Sequence, residues 1–259
     1  MRVRRAIPAL LLLPLGAAIA PPVAPPVATA AVPTSLTTDE GGCIEAGYIR
    51  GGNVAAVEAL VPDRFTIELL AGTGPARVRL FVNEVTCETV DVEGHASYQR
   101  PTTTMIVSAA IDAVDGRPED GSYVLSYATS NPVLWARYRQ LGWPAERLDP
   151  SSGVAVKALP DGITEATWTV SGGGWDHVTR MRATEQTTPI ADSATYYYDG
   201  ADERLTLTYD EALVVAPGRL DSDLSGTPLA AVAYIPPVFT NFGGGFFRGE
   251  WETTLAVSR

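Results

Sequence analysis

Hydrophobic and polar residues alternate along many short segments of this chain, and turn-forming residues separate the segments. Alternation of this kind, rich in valine, threonine and aromatic residues, predicts half-buried β-strands. Glycine and proline at residues 72–75 and 115–118 mark two of the turns. The segments predicted as strands are residues 65–70, 76–85, 103–111, 123–127, 153–159, 165–171, 178–187, 194–198, 204–209, 213–215, 230–234 and 251–257.

Two segments follow the period of an α-helix instead. Residues 53–60 place apolar side chains on one face, and Asn53 can cap the first turn. Residues 132–141 follow a second capping residue, Asn131, and stop at Gly142. Parallel βαβ units would need repeated helices of roughly 10 to 15 residues, which this pattern lacks. We therefore predict a mainly β (β-rich α+β) fold, an antiparallel β barrel or sandwich with two or three short helices.

The first thirty residues have the anatomy of a secretory signal peptide. Three arginines precede an apolar run over residues 6–20, and residues 28–30, Ala-Thr-Ala, offer a small-x-small cleavage site. The run is shorter than the roughly 20 residues that span a bilayer as a helix, although an uncleaved anchor stays open. We expect a signal peptide at 1–30, a Pro/Ala/Val linker at 31–42 and one β domain at 43–259. The general secretory route would export it to the cell envelope or the extracellular space.

The net charge of −11 argues against two classes of partner. Removal of residues 1–30 would take away three arginines and no acid, so the exported chain would be more negative still. Such a surface repels nucleic acid and anionic lipid, so we expect no nucleic-acid binding and no membrane insertion after signal cleavage. Two histidines and no zinc-type cysteine spacing predict no metal site, and we expect no cofactor. Association into a homo-oligomer is left open.

Cys43 and Cys87 are the two cysteines of the chain. An even number of cysteines in an exported protein is typical of a disulfide. The bridge would close a loop of about 45 residues and stabilise the fold by roughly 4 kcal/mol on the chain-entropy model. Two unpaired buried thiols are the alternative.

Three segments, taken in order, resemble the acetoacetate decarboxylase superfamily. Residues 48–68 are similar to the family's short helix, which ends in a Val-Pro turn before a strand. Residues 121–148 resemble its strand, turn and helix with a following aromatic-Pro pair, here Trp143-Pro144. Residues 217–229 resemble its late Leu…Pro-Leu segment. The resemblance extends over almost the whole exported chain and implies the family's β fold, with a pocket beside the aromatic-Pro pair.

The residue that the family needs for catalysis is absent at the matching position. In the family, a lysine directly after the aromatic-Pro pair forms a Schiff base with a keto acid, and the iminium accepts electrons during decarboxylation. Ala145 stands at this position, and neither Glu146 nor Arg147 after it can form an imine. The only lysine of the chain, Lys157, lies in an alternating segment typical of an exposed strand. A displaced Schiff-base amine is the alternative interpretation of Lys157.

The resemblance also implies a ligand pocket formed by other side chains. Arg100, shortly after Tyr98, takes the place of a family glutamate, and Arg139 matches an arginine at the end of the family's helix. Either guanidinium could bind a carboxylate through two hydrogen bonds. The rest of the expected lining is Trp143, Ala145 and Glu146.

A glutamate and an arginine of the family pattern also lack a match in this chain. A second family glutamate matches Phe81, with Glu84 nearby but out of register, and Arg50 lies too close to the first helix to match a family arginine.

His177 follows a Gly-rich stretch at 172–174 that is typical of a hairpin tip. A hydrolase centred on His177 is the other interpretation, without a Gly-x-Ser-x-Gly elbow to support it.

Three functions fit the sequence. The one we favour is a secreted acetoacetate decarboxylase-like protein without Schiff-base decarboxylase activity, which binds a small apolar or carboxylate-bearing molecule in a barrel cavity. The alternative is a lyase of decarboxylase type that polarises a keto acid through Arg100 or Arg139 by a non-lysine mechanism. The third is a structural envelope protein whose own side chains fill the pocket.

Overall fold

β-Strands dominate the part of the chain that the structure describes. This computed structural model describes residues 35–70, 75–93, 95–96, 100–184, 192–198, 200–209, 218–222 and 245–257, together with Thr227, Ala230 and Val232. Two α-helices, Val54–Glu58 (α1) and Pro132–Gln140 (α2), and a 3-10 turn at Pro160–Gly162 interrupt the strands. The strands are β1 Ser35–Gly52, β2 Phe65–Ile67, β3 Val78–Cys87, β4 Thr89–Val92, β5 His95–Ala96, β6 Thr102–Val114, β7 Arg117–Thr129, β8 Ala145–Arg147, β9 Gly153–Ala158, β10 Ile163–Gly172, β11 Trp175–Thr184, β12 Asp192–Tyr198, β13 Gly200–Tyr209, β14 Gly218–Ser222 and β15 Gly245–Val257. The prediction of a mainly β fold with short helices is confirmed.

Both helices begin after the asparagines that the sequence marks as caps. The Asn53 side chain accepts a hydrogen bond from the N–H of Ala56. The Asn131 side chain accepts from the N–H groups of Val133 and Leu134. These bonds satisfy backbone donors that the first turn of a helix leaves without a helical partner. The caps are local signals, and for this reason the sequence predicts the starts of the helices well.

The larger of the two sheets is built mainly from antiparallel pairs. Its strands follow the order β5-β4-β1-β3-β6-β7-β12-β13-β15, while β2 pairs with β6 and β8 pairs with β7. β7 is parallel to β8 and β12. β15 pairs with β1 as well as with β13, so the pairings from β1 through β3, β6, β7, β12, β13 and β15 return to β1.

β1 connects three other strands of this sheet. Ser35–Gly47 faces β15, Ile44–Gly52 faces β3, and residues 38–41 face β4. A register shift lies between Glu40 and Cys43, where Gly42 has a φ of 62°. The strand begins inside the predicted linker, residues 31–42, and the sequence pattern predicts no strand before residue 65.

A disulfide joins β1 to β3. The sulfur atoms of Cys43 and Cys87 are 2.05 Å apart, and the residues are separated by 44 positions in the sequence. Both side chains are buried. The predicted disulfide is confirmed, and the alternative of two unpaired thiols is wrong.

The smaller sheet has four described strands in the order β14-β11-β10-β9. β10 and β11 form a hairpin that stays in register from the Ile163–Thr184 pair to the Gly172–Trp175 pair. Gly173 and Gly174 close it with φ values of 53° and 93°. Two successive positive φ values match the right-handed twist of a hairpin, and glycine adopts them without steric cost.

Among the described residues, two hydrophobic cores hold the sheets in place. The first contains side chains of both sheets, such as Val82 of β3, Trp168 of β10 and Met181 of β11. The second contains side chains of the large sheet and of α2, such as Leu255 and Leu134. The small sheet therefore packs on the large one through the first core, while α2 packs on the large sheet through the second.

Two predicted strands fall where little is described. Residues 213–215 lie outside the described residues, and only Ala230 and Val232 of residues 230–234 are described.

Neither α1 nor α2 has the length and hydropathy that a membrane-crossing helix requires.

Candidate functional site

Ala145 is part of the second core. It is 4% exposed on β8, and its carbonyl oxygen accepts a hydrogen bond of 3.2 Å from Trp135 Nε1. The rings of Tyr127 and Tyr138 stack at 4.3 Å in this core, and Trp143 meets Tyr138 edge-on at 6.0 Å. Aromatic packing thus surrounds the position at which the resemblance places the lysine.

The other predicted pocket residues that the structure describes differ in burial and surroundings. Trp143 is buried in the same core as Ala145, whereas Arg139 and Glu146 are exposed. Tyr98 lies outside the described residues. Arg100 is exposed and lines a separate groove.

Lys157 lies on the small sheet. It is exposed on β9 and pairs in register with Glu165 of β10. A hydrogen bond from Arg182 is the largest cause of a lowered pKa of Glu165, and the nearby charge of Lys157 lowers it further. Lys157 therefore belongs to a group of surface charges.

A groove of about 710 Å³ runs between the two sheets' strands at one end of β9. Its lining combines apolar side chains with one positive and one negative charge. The lining residues are Gly42, Cys43, Ile44, Thr86, Glu88, Arg100, Pro101, Pro150, Ser152, Gly153, Val154 and Val156. Of the predicted pocket residues that the structure describes, Arg100 is the one in this lining.

A group of polar side chains lies buried where the two sheets meet, and we call it the inter-sheet polar cluster. The large sheet contributes Tyr48 from β1 and Glu84 from β3, and the small sheet contributes His177, Thr179 and Ser222. Glu84 Oε1 lies 2.8 Å from the Tyr48 hydroxyl, 2.7 Å from His177 Nε2 and 2.7 Å from Thr179 Oγ1. The Tyr48 hydroxyl is also 3.1 Å from Ser222 Oγ. The cluster therefore joins the sheets through polar contacts inside an apolar core.

Burial and charge set the protonation of Tyr48 in this cluster. The side chains of Glu84 and His177 are both 0% exposed. The contact of 2.7 Å between Glu84 Oε1 and His177 Nε2 is a hydrogen bond whose donor depends on the tautomer of the ring. Burial first, and then the charge of Glu84, raise the pKa of Tyr48 well above its usual value, while hydrogen bonds to Ser222 and Thr179 oppose the rise. Tyr48 is therefore a neutral donor to Glu84 at physiological pH.

Arg50 borders the cluster from β1. Its Nη2 donates to the Ser222 carbonyl oxygen at 2.7 Å, and its guanidinium carbon lies 5.5 Å from the centre of the Tyr48 ring. Glu84 Oε2 is buried without a hydrogen-bond partner among the described residues. The sequence pointed to Arg50, Glu84 and His177 separately. The one local signal for the cluster is the alternation of β3, which places Glu84 on the same buried face as Leu80 and Val82.

Solved structures provide the comparison for this architecture. An acetoacetate decarboxylase structure matches with a TM-score of 0.53 and 12% identity, over 85% of this chain and 86% of that one. The acetoacetate decarboxylase of Legionella pneumophila matches with a TM-score of 0.51 and 12% identity, over 85% of each chain. The enduracididine biosynthesis enzyme MppR, complexed with the condensation product of pyruvate and imidazole 4-carboxaldehyde, matches with 0.51 and 14% over 88% of each.

Sequence comparison finds less. No protein-family model matches the chain, and no curated protein matches it significantly. Identities of 12 to 14% carry information about the fold and not about the chemistry. The structural likeness confirms the predicted resemblance at that level, and this chain has the fold of the acetoacetate decarboxylases.

Proposed function

We propose that this chain is an exported binding protein with the acetoacetate decarboxylase fold, which holds a small apolar carboxylate and forms no Schiff base. The observation that carries the proposal is the burial of Ala145 in an aromatic core at the position of the family lysine. A Schiff-base lysine needs desolvation or a neighbouring cation to stay neutral. Lys157, the only lysine, is exposed and faces Glu165 instead.

The groove beside β9 supports the binding part of the proposal. Its volume of about 710 Å³ lies in the range of small-molecule sites. Ile44, Val154 and Pro101 offer apolar contact, and Arg100 offers a planar pair of donors to a carboxylate. A ligand with an apolar body and a carboxylate matches both features.

Export is supported by the signal-like residues 1–30 and by the disulfide. Disulfides persist in oxidising compartments and are rare in the reducing cytosol. The Cys43–Cys87 bridge is therefore compatible with a protein that works in the cell envelope or outside the cell.

Calorimetric titration of the purified exported protein with hexanoate and with acetoacetate tests this proposal. We expect saturable binding that Arg100→Gln weakens about tenfold or more, since a charge-assisted hydrogen bond contributes about 1.5–3 kcal/mol. Arg139→Gln is the matched control, because Arg139 is also an exposed arginine but does not line the groove. Equal loss in both variants would contradict the assignment of the groove.

Borohydride added to the same acetoacetate sample gives the second readout. We expect an unchanged protein mass, because no buried amine is available for an imine. A mass increase that maps to Lys157 and disappears in Lys157→Arg would contradict the Schiff-base part of the proposal. Release of carbon dioxide without such labelling would favour the non-lysine lyase instead.

A further inference from the structure

β9 forms an edge of the small sheet. It pairs with β10 in unbroken register from Gly153–Thr169 to Ala158–Thr164, and β10 is its only strand partner among the described residues. In an antiparallel edge strand, alternate residues direct their N–H and C=O groups away from the partner. Part of the β9 backbone therefore has donors and acceptors to offer on its outer side.

This edge carries few of the features that normally block pairing with another strand. Natural edges are protected by charges, prolines, bulges or covering segments. β9 has the sequence Gly-Val-Ala-Val-Lys-Ala, with a single charge at Lys157 and no bulge in its pairing. Val156 is 47% exposed on it. An edge that is regular and apolar apart from one lysine is suited to accept an additional strand.

The groove adjoins this same edge. Gly153, Val154 and Val156 of β9 form part of its lining, opposite residues such as Ile44 of β1. Glu88 and Arg100 supply one charge of each sign. A hydrocarbon carboxylate would match Arg100 alone, and its chain would cover backbone groups without pairing them, which costs free energy. A peptide brings amide groups, an amine and a carboxylate together.

We propose that the ligand of this groove is an extended peptide with a free carboxylate, which adds a strand to the outer edge of β9 and places the carboxylate on Arg100. At about 3.3 Å per residue, a tetrapeptide would extend along roughly 13 Å of the edge. Small apolar side chains on the peptide would pack against Val154 and Val156. This inference rests on the proposed function, because it narrows the carboxylate ligand of the same groove to one with backbone amides.

Titrations of the exported protein with four ligands separate carboxylate binding in the groove from strand addition to β9. The ligands are the tetrapeptide Ala-Val-Ala-Val, its C-terminal amide, a version N-methylated at alternate amides, and hexanoate. We expect the free peptide to bind at least tenfold more tightly than each of the other three. Arg100→Gln should reduce the affinity for the free peptide to that of the amide, and Arg139→Gln should leave it unchanged.

Equal binding of the free peptide, its N-methylated version and hexanoate would overturn the strand addition and leave the carboxylate groove in place. Failure of all four probes to bind would remove the proposed function as well. Amide hydrogen exchange gives an independent check on location. Exchange in residues 153–158 should slow when the free peptide is added, whereas exchange in α2 should not. Amides of β9 that exchange slowly without peptide, in a protein that sediments as a dimer, would mean that a second copy of the chain occupies the edge. The inference would then be wrong.

Discussion

Glu84 illustrates what a buried charge requires from its neighbours. Its carboxylate has no exposed surface, so protein donors must replace the water that it loses on folding. Tyr48 of the large sheet and Thr179 of the small sheet donate to it, and His177 Nε2 of the small sheet lies 2.7 Å away. Hydrogen bonds of this kind depend on direction, so they fix the placement of the small sheet more strictly than apolar contacts do.

Removal of His177 should therefore destabilise the protein strongly. His177→Ala leaves Glu84 without its nitrogen partner, and we expect a loss of about 3 kcal/mol or more in the free energy of unfolding. Val178→Thr, at an exposed position on the same strand, should change it by no more than about 0.5 kcal/mol. Urea denaturation followed by circular dichroism measures both.

A double-mutant cycle separates the pair from the cavity that His177→Ala creates. Glu84→Ala combined with His177→Ala should cost about 1–3 kcal/mol less than the sum of the single changes, because both changes remove the same contact. Additive losses would mean that the two side chains are energetically independent.

Among the elements, β1 shows the limit of what the sequence predicts. Helix α2 could be predicted because Asn131 and the following proline are adjacent signals. β1 has five glycines and three acidic residues and lacks regular alternation, so its strand conformation depends on the partners β15, β3 and β4. The groove and the inter-sheet polar cluster escape sequence prediction for a related reason. Each combines residues of β1 and β3 with residues more than sixty positions further along the chain.

The disulfide secures β1 at its register shift. On the chain-entropy model, a bridge between residues 44 positions apart contributes roughly 4 kcal/mol. Cys43→Ala combined with Cys87→Ala should lower the free energy of unfolding by about this amount, measured by urea denaturation without reductant. Dithiothreitol should destabilise the unaltered protein in the same way and have no effect on the double variant. Equal stability of the two proteins without reductant would show that the bridge adds nothing to the fold.

At the scale of the whole molecule, four buried tyrosines couple folding to alkaline pH. Burial is the largest cause of a raised pKa at each of them, and nearby glutamates add to it: Glu84 at Tyr48, Glu40 at Tyr127 and Tyr138, and Glu45 at Tyr196. Folding therefore favours the protonated phenol at all four positions. Besides these four tyrosines the chain has six other tyrosines and one lysine, while arginine stays charged.

The sign of the pH dependence follows from these raised pKa values. Below pH 10 the tyrosines are protonated in the folded and in the unfolded chain, so their contribution to stability is complete and constant. Above pH 10 the unfolded chain loses these protons first, and the free energy of unfolding falls by up to about 1.4 kcal/mol per pH unit for each tyrosine. We expect the urea midpoint to stay level from pH 8 to pH 9.5 and to drop steeply by pH 11. Tyr196→Phe should make the drop shallower, which separates the phenols from general charge repulsion. The absorbance of tyrosinate near 295 nm should show these four groups ionising only as the protein unfolds. Reversible ionisation of the four phenols in the folded protein would contradict the burial that the structure assigns to them.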